Sequence, residues 1–237
     1  MTVPADPHFS GTDGKVSKLI RDFAEAKRGR TVFAEHEVKN LLRGIGLSVP
    51  NGRLFGTGEV IPVKVDLRFP LVAKISSLRI TSKSNVGGVR TGIRDGDELK
   101  TAVQELSGVP GAEGVLVEEM APEGIEVIIG GIIDPQFGPV MMFGLGGVFV
   151  ELFKDVAFGL APMDPEGARR LVRETRGSLL LEGYRGKPPI DKEALIRALV
   201  IVSDMMATGL VGEIDLNPVA LFPEGLMVLD AKMQLTA

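Results

Sequence analysis

VAKISSLRITSKSNVGGV, residues 72–89, is the stretch on which the reading of this chain turns. Its first half is an apolar, strand-like run carrying one lysine, Lys74, and its second half is a polar turn closed by Gly87 and Gly88. A buried strand holds an ammonium at a fixed height, and a glycine-containing loop lets backbone N–H groups approach phosphate oxygens with no Cβ in the way. The stretch matches neither G-x-G-x-x-G nor the P-loop pattern, and glycine pairs most often make ordinary turns. On these residues alone, phosphate binding and a plain turn both stand.

Working outward, 237 residues suffice for one large domain or two small ones sharing a cleft. The formal charge is −4 with Lys and Arg scattered, so no basic stripe is present to engage nucleic acid. The 44% hydrophobic content falls in short segments broken by Gly and Pro, none long enough to cross a bilayer, so no membrane is expected. The N-terminal residues lack the basic and apolar regions of a signal peptide. With no cysteine, disulfides, thiolate nucleophiles and thiolate metal sites are excluded. A cytoplasmic protein is the expectation.

Residues 1–15 read as an N-terminal arm, rich in Pro, Gly, Asp and Ser. Helical periodicity follows over 16–27 and 34–44, the second segment aligning Val38, Leu41, Leu42 and Ile45. His36 on this helix reads as a surface or hydrogen-bonded residue, and with His8 in the arm no histidine metal cluster is expected. Residues 50–66 suggest short strands and turns, with Pro62 marking an edge strand in VIPVKVDL. Asp95 caps a helix to about 106 that turns Leu99, Val103 and Leu106 inward. Buried strands are expected over 115–120, 125–134 and 140–152, helices over 165–176 and 192–208, and strands again over 210–222 and 226–235. This order predicts an α+β protein with a first lobe over 16–114 and a second over 115–237.

In the final strands Glu213, Asp215 and Asn217 alternate, which places all three on one strand face, and Asp230 falls in the neighbouring strand. Oxygen ligands without His or Cys suit Mg²⁺, which takes a few carboxylates plus water and substrate phosphates. The competing reading is a solvated strand face. Asp and Asn are poor strand formers, and their placement among Val, Ile and Leu favours the metal reading.

The chain contains FPLVAKI (69–75), KSNVGGV (83–89), VLVEEM (115–120), EVIIGGIIDPQFGPVMMFGLGGVFVELFKDVAFGLAP (126–162), LLLEGYRGKPPID (179–191), EIDLNPV (213–219) and LDAK (229–232). In these segments it resembles the ATP-grasp (beta) subunit of the ADP-forming acyl-CoA synthetases, relatives of succinyl-CoA synthetase. It implies an ATP-grasp fold, with ATP or ADP in a cleft between two lobes. Lys74 would contact the phosphates, the Glu118, Glu119 and Met120 backbone the adenine edge, and Glu126 the ribose, although Glu118 and Glu126 read equally well as surface carboxylates at their strand ends. Asn217 and Asp230 would hold Mg²⁺, and Asp215 would lie near the phosphoryl acceptor. Gly146 and Gly147 would line the phosphate side together with Lys154, which reads equally well as a surface lysine. The resemblance further implies a hetero-oligomer, such as a heterotetramer, with an alpha subunit that binds CoA and carries a phosphorylatable histidine. On this reading the chain alone would be inactive. LEGYRGKPP and the N-terminal arm are candidate docking surfaces.

One departure bears on mechanism. The loop position where archaeal-type relatives carry a second relay histidine is Ser82 here, and the neighbouring aspartate position is Asn85. A hydroxyl lacks the near-neutral basicity with which imidazole accepts and releases a phosphoryl group, so a two-histidine relay does not carry over. Three readings follow. They are a ligase subunit whose partner histidine reaches the nucleotide directly, a non-catalytic nucleotide-binding or regulatory subunit, and an ATP-grasp ligase serving another nucleophile.

Overall fold

The computed structural model describes residues 12–62, 65–80, 82–147, 154–183, 186 and 188–236. Most of the N-terminal arm, and Tyr184, Arg185 and Lys187 of the LEGYRGKPP segment, lie outside them.

Two antiparallel sheets organise the chain. The smaller contains β1 (Gly52–Gly56), β2 (Leu71–Ser76), β3 (Val89–Ile93) and β4 (Gly114–Glu119) in the order β1-β4-β2-β3. Its strands pack against α3 (Gly96–Ser107), whose N-terminus is capped by the Asp95 carboxylate accepting from the N–H groups of Asp97 and Glu98. Leu99, Val103 and Leu106 recur at helical spacing and are buried against Phe55, Ile75, Val115 and Val117. Burial of each such side chain is worth roughly 1.5–3 kcal/mol relative to exposure.

The larger sheet runs β10-β8-β5-β6-β7, with β9 also paired to β8. Its strands are β5 (Ile125–Asp134), β6 (Gly138–Leu145), β7 (Val156–Leu160), β8 (Val211–Leu221), β9 (Leu226–Val228) and β10 (Ala231–Leu235). The helices α1 (Thr12–Ala26), α2 (Glu35–Ile45), α4 (Pro165–Arg173) and α5 (Lys192–Ala207) share one core with this sheet. The strand face carrying Ile214 and Leu216 is buried, while Glu213, Asp215 and Asn217 point to the opposite, more accessible face, as their alternation required.

The expected two-lobed α+β architecture is present, but its division differs from the expected boundary at 114/115. The strand β4 pairs with β1 and β2 in the small sheet, and α1 and α2 bury Val16, Ile20, Val38 and Leu42 in the large core. Apolar periodicity shows that a helix face will be buried but not against which sheet. Two local expectations also change. The edge strand is β1 at Gly52–Gly56, and Val60 to Pro62 is not a strand. Asp230 lies in the short break between β9 and β10 rather than within a strand.

Candidate functional site

Lys74 sits on β2 with a buried side chain that enters a network of alternating charge. Its Nζ is 2.9 Å from Glu35 Oε1 and 2.9 Å from Glu118 Oε2, and it donates to the Leu229 carbonyl at 2.5 Å. Lys39 Nζ lies 2.7 Å from Glu35 Oε1 and 2.6 Å from Glu118 Oε1, and also donates to the Leu229 carbonyl at 2.7 Å. Lys83 Nζ completes the set, 2.6 Å from Glu35 Oε2 and 2.9 and 2.7 Å from the two Asp230 oxygens. Glu35 and Lys39 come from the first turns of α2, Glu118 from β4, Lys83 from the loop after β2, and Asp230 from the β9–β10 break. Four separate elements around β2 therefore converge on one point.

Three ammoniums face three carboxylates, and the neutral sum explains how so many charges tolerate burial. Removing an ion from water costs several kcal/mol, offset only when opposing charges and hydrogen bonds are close to ideal. Burial opposes ionisation of the Glu35 carboxyl, but Lys74, Lys39 and Lys83 outweigh it and hold that group well below the usual carboxylate range. Burial likewise opposes charge on Lys74, and Glu35, Glu118 and Asp230 reverse this, keeping it firmly protonated.

Beside the network opens a cleft of about 980 Å³, between one face of the small sheet and the β8–β10 end of the large one. Lys74, Ser82, Lys83, Glu118, Glu119, Met120, Glu126, Gly147, Asn217 and Asp230 all line it. Val72, Pro218, Ala220 and Leu229 supply apolar wall, and such a mixture suits a flat base attached to a charged tail. Sequence elements more than 130 residues apart, residues 72–84 and 217–232, thus form one concave site.

The remaining anticipated residues have different placements. Gly87 and Gly88 are not in the cleft wall. Gly87, at φ 62°, ends a single 3-10 turn, Ser84–Val86, while Gly88 lies against β2. A Cβ at Gly88 would stand 2.8 Å from Ile75 Cδ1 and 2.9 Å from the Lys83 carbonyl. The pair folds the loop back onto β2 and thereby aims Ser82, Lys83 and Ser84 into the cleft. Gly146 is also required for backbone packing, since its Cβ would meet the Glu126 carbonyl at 3.0 Å. Lys154 is exposed and lies outside the cleft wall.

At the end of β4 the side chains are committed elsewhere: Glu118 to the lysines, and Glu119 to Arg68 at 2.9 Å. Hydrogen bonds from Arg68 hold the half-buried Glu119 carboxyl down at about 2. The Glu119 N–H donates to Asn51 O and the Met120 N–H to Pro70 O. Ala121, next in the cleft wall, is the following backbone donor. Asp215 faces a neighbouring cavity of about 430 Å³ that it shares with Glu35, Ser77, Lys83 and Lys232. Burial pushes its carboxyl up, against the attraction of Lys232.

Asn217 and Asp230 stand together, tied by the Asn217 N–H donating to the Asp230 carbonyl at 3.2 Å. One amide oxygen and one carboxylate form an all-oxygen donor pair, and Asp230 already accepts a cation in the form of the Lys83 ammonium. The pair fits Mg²⁺ delivered with phosphates that complete its shell. Among the described residues no group of three or more His, Cys, Asp or Glu is arranged to hold a metal unaided.

Sequence reasoning missed Glu35, Lys39 and Lys83. A signal was present in EHEVKNLL, where a Glu and a Lys at i and i+4 sit at the start of an otherwise apolar helix face.

A two-lobed α+β fold with a lysine strand and an oxygen-donor pair across one cleft defines an ATP-grasp architecture, and the ATP-grasp domain pattern matches residues 24–235. The chain belongs to the ATP-grasp domains of the ADP-forming acetate–CoA ligase family. It is similar to the beta subunit of acetate–CoA ligase [ADP-forming] I from Pyrococcus furiosus, at 36% identity over 228 residues, 92% of this chain and 98% of that one. It is also similar to acetyl-coenzyme A synthetase 1 of Ca. Korarchaeum cryptofilum, solved in complex with coenzyme A, Ca-AMPCP and HgCl+. There the TM-score is 0.84 and the identity 41%, covering 93% of this chain and 100% of that one. A second structure of that enzyme holds coenzyme A and Mg-AMPPCP, with its phosphohistidine segment pointing towards the nucleotide binding site. It matches at TM-score 0.78 and 39% identity, with 93% and 100% coverage. No helix among the described residues is long and apolar enough to cross a membrane.

Proposed function

We propose that this chain is the nucleotide-handling unit of a cytoplasmic ADP-forming acyl-CoA ligase. It moves a phosphoryl group between ATP/ADP and a histidine on an alpha partner that also binds CoA. The observation that carries the reading is the convergence of Lys74, Ser82, Asn217 and Asp230 on one cleft.

In the direction of ATP synthesis, an oxygen of the ADP terminal phosphate bonds to phosphorus as the P–N bond to the histidine breaks. The imidazole leaves with the bonding electron pair. Catalysis of such a transfer is mostly positioning and charge stabilisation. Lys74 supplies a permanent positive charge beside the phosphates because its three acids keep it protonated. Asn217 and Asp230 would hold Mg²⁺, which neutralises phosphate oxygens when bound. The apolar wall around Val72 and Leu229 would exclude water from the base and favour transfer over hydrolysis. Asp215 belongs to the acceptor side, in the adjoining cavity with Lys83 and Lys232. Ser82 lies in the cleft wall without the basicity of a phosphoryl carrier, so the partner histidine reaches the nucleotide directly.

The test is acid- and CoA-dependent release of ADP from ATP by the chain assembled with its alpha partner, in wild type and Ser82→His. Turnover in wild type is expected. Bound nucleotide without turnover would overturn the ligase reading in favour of the regulatory one that the serine suggests. Turnover gained only in Ser82→His would mark a relay lost at that position.

A further inference from the structure

Of the three lysines in the network, Lys83 is the partly exposed one and differs in where its backbone is anchored. Lys74 belongs to the central pair of strands in the small sheet and Lys39 to α2, so neither ammonium moves far without disturbing a packed element. Lys83 instead precedes a single 3-10 turn in the loop between β2 and β3. Its side chain reaches into the cleft and also borders the adjoining cavity.

Its two carboxylate partners would respond differently to its departure. Glu35 keeps Lys39 at 2.7 Å and Lys74 at 2.9 Å on its other oxygen and stays compensated. Asp230 would lose the ammonium that contacts both of its oxygens. The bared carboxylate is the one beside Asn217, where a divalent ion would sit. An ammonium held against both oxygens of Asp230 competes with a divalent ion for that carboxylate, through charge repulsion and through the oxygen lone pairs it already occupies. The charge count agrees. A metal–nucleoside triphosphate arrives with net negative charge at a network that is already neutral, and a released ammonium adds to the cations that line the cleft.

We propose that Lys83 is an internal stand-in for the divalent ion. In the nucleotide-free protein it neutralises Asp230. On binding of the metal–nucleotide it is exchanged off that carboxylate and turns its ammonium to the phosphate oxygens. The inference rests on the nucleotide reading and adds to it a named exchange of one cation for another, carried by the side chain of a loop residue. It makes Lys83 a binding residue in the loaded state and a placeholder in the free one.

The exchange is read by Mn²⁺ binding followed by electron paramagnetic resonance without nucleotide, in wild type, Lys83→Met and Lys83→Met/Asp230→Ala. Removing the resident ammonium is expected to tighten Mn²⁺ binding by about tenfold or more, and the added Asp230→Ala to cancel the gain. Equal Mn²⁺ affinity in folded wild type and Lys83→Met would overturn the proposal.

A crystal structure of the wild-type protein with Mg-AMPPCP gives a reading that does not depend on the variant folding. Lys83 Nζ is expected beyond about 4 Å from the Asp230 oxygens and within hydrogen-bond reach of a phosphate oxygen. Bound Mg-AMPPCP with Lys83 still on Asp230 would sink this inference alone. Failure of the wild-type protein to bind Mg-AMPPCP at all would instead remove the nucleotide reading and the inference with it.

Discussion

At the residue scale, Glu35 carries more of the site than any residue anticipated from the sequence, because it is shared by all three lysines. Replacing it by Gln keeps the shape but leaves buried ammoniums undercompensated, and breaking such a pair costs about 3–5 kcal/mol. Glu35→Gln is expected to lose stability on that scale at pH 7, read by urea denaturation. The pH dependence has a definite sign. The folded-state carboxyl lies below its unfolded value, so its contribution is complete above about pH 4.5 and is lost as pH falls towards the folded value. The gap between wild type and Glu35→Gln should therefore narrow below about pH 4.5, and a gap constant down to acid unfolding would falsify the assignment. Asp230→Ala is expected to weaken Mg-AMPPCP binding by at least about tenfold, by loss of a charged ligand and of the cation it attracts. Titration calorimetry checks this, and unchanged affinity would move the metal site elsewhere.

At the element scale, the loop after β2 is held by a small number of contacts that place its polar residues. The Gly88 N–H donates to the Lys83 carbonyl at 2.7 Å and the Ile75 N–H to the Gly88 carbonyl at 2.9 Å. Gly88→Ala has no room for its methyl group and should cost roughly 1–3 kcal/mol through backbone displacement. It should also weaken Mg-AMPPCP binding, because Lys83 and Ser84 move with the loop. Full-strength binding in a destabilised Gly88→Ala protein would separate the loop from the site. The cap of α3 provides a contrasting case far from the cleft. Asp95→Ala should cost about 1 kcal/mol in denaturation and leave nucleotide affinity unchanged.

At the scale of the whole molecule, the ionic network joins the two cores. Lys39, on a helix of the large core, pairs with Glu118 on a strand of the small sheet, and Lys39 and Lys74 both donate to the Leu229 carbonyl at the end of β9. A nucleotide bound between the sheets stabilises the folded state by mass action. Mg-AMPPCP at a hundredfold excess over its Kd contributes about 2.7 kcal/mol. For a chain of this size that corresponds to a Tm increase of roughly 5–10 °C. The measurement is a thermal melt with and without Mg-AMPPCP, and no shift at saturating ligand would contradict a site built from both lobes.

Much of this architecture was legible in the sequence, for reasons of local physics. The α3 cap follows from an Asp before an apolar helical period, β4 and β5 from β-branched runs between turn residues, and the shared face of Asp215 and Asn217 from strand alternation. Lys74 on β2, Asn217 and Asp230 stood out in the sequence as polar residues set in an apolar context, and the structure places all three in the wall of one cleft. Local pattern did not assign the first two helices to the large core, give Gly87 and Gly88 their packing role, or seat Asp215 in the adjoining cavity. Nor did it join Glu35, Lys39, Lys74, Lys83, Glu118 and Asp230 into one neutral network. The sequence by itself determined which segments become strands and helices and which residues carry charge, because propensity, capping and hydrophobic period act over a few residues. Only the tertiary structure decided which charges compensate each other. A buried ion pair depends on distances of a few ångströms, and here the partners stand as far apart in the chain as Lys83 and Asp230.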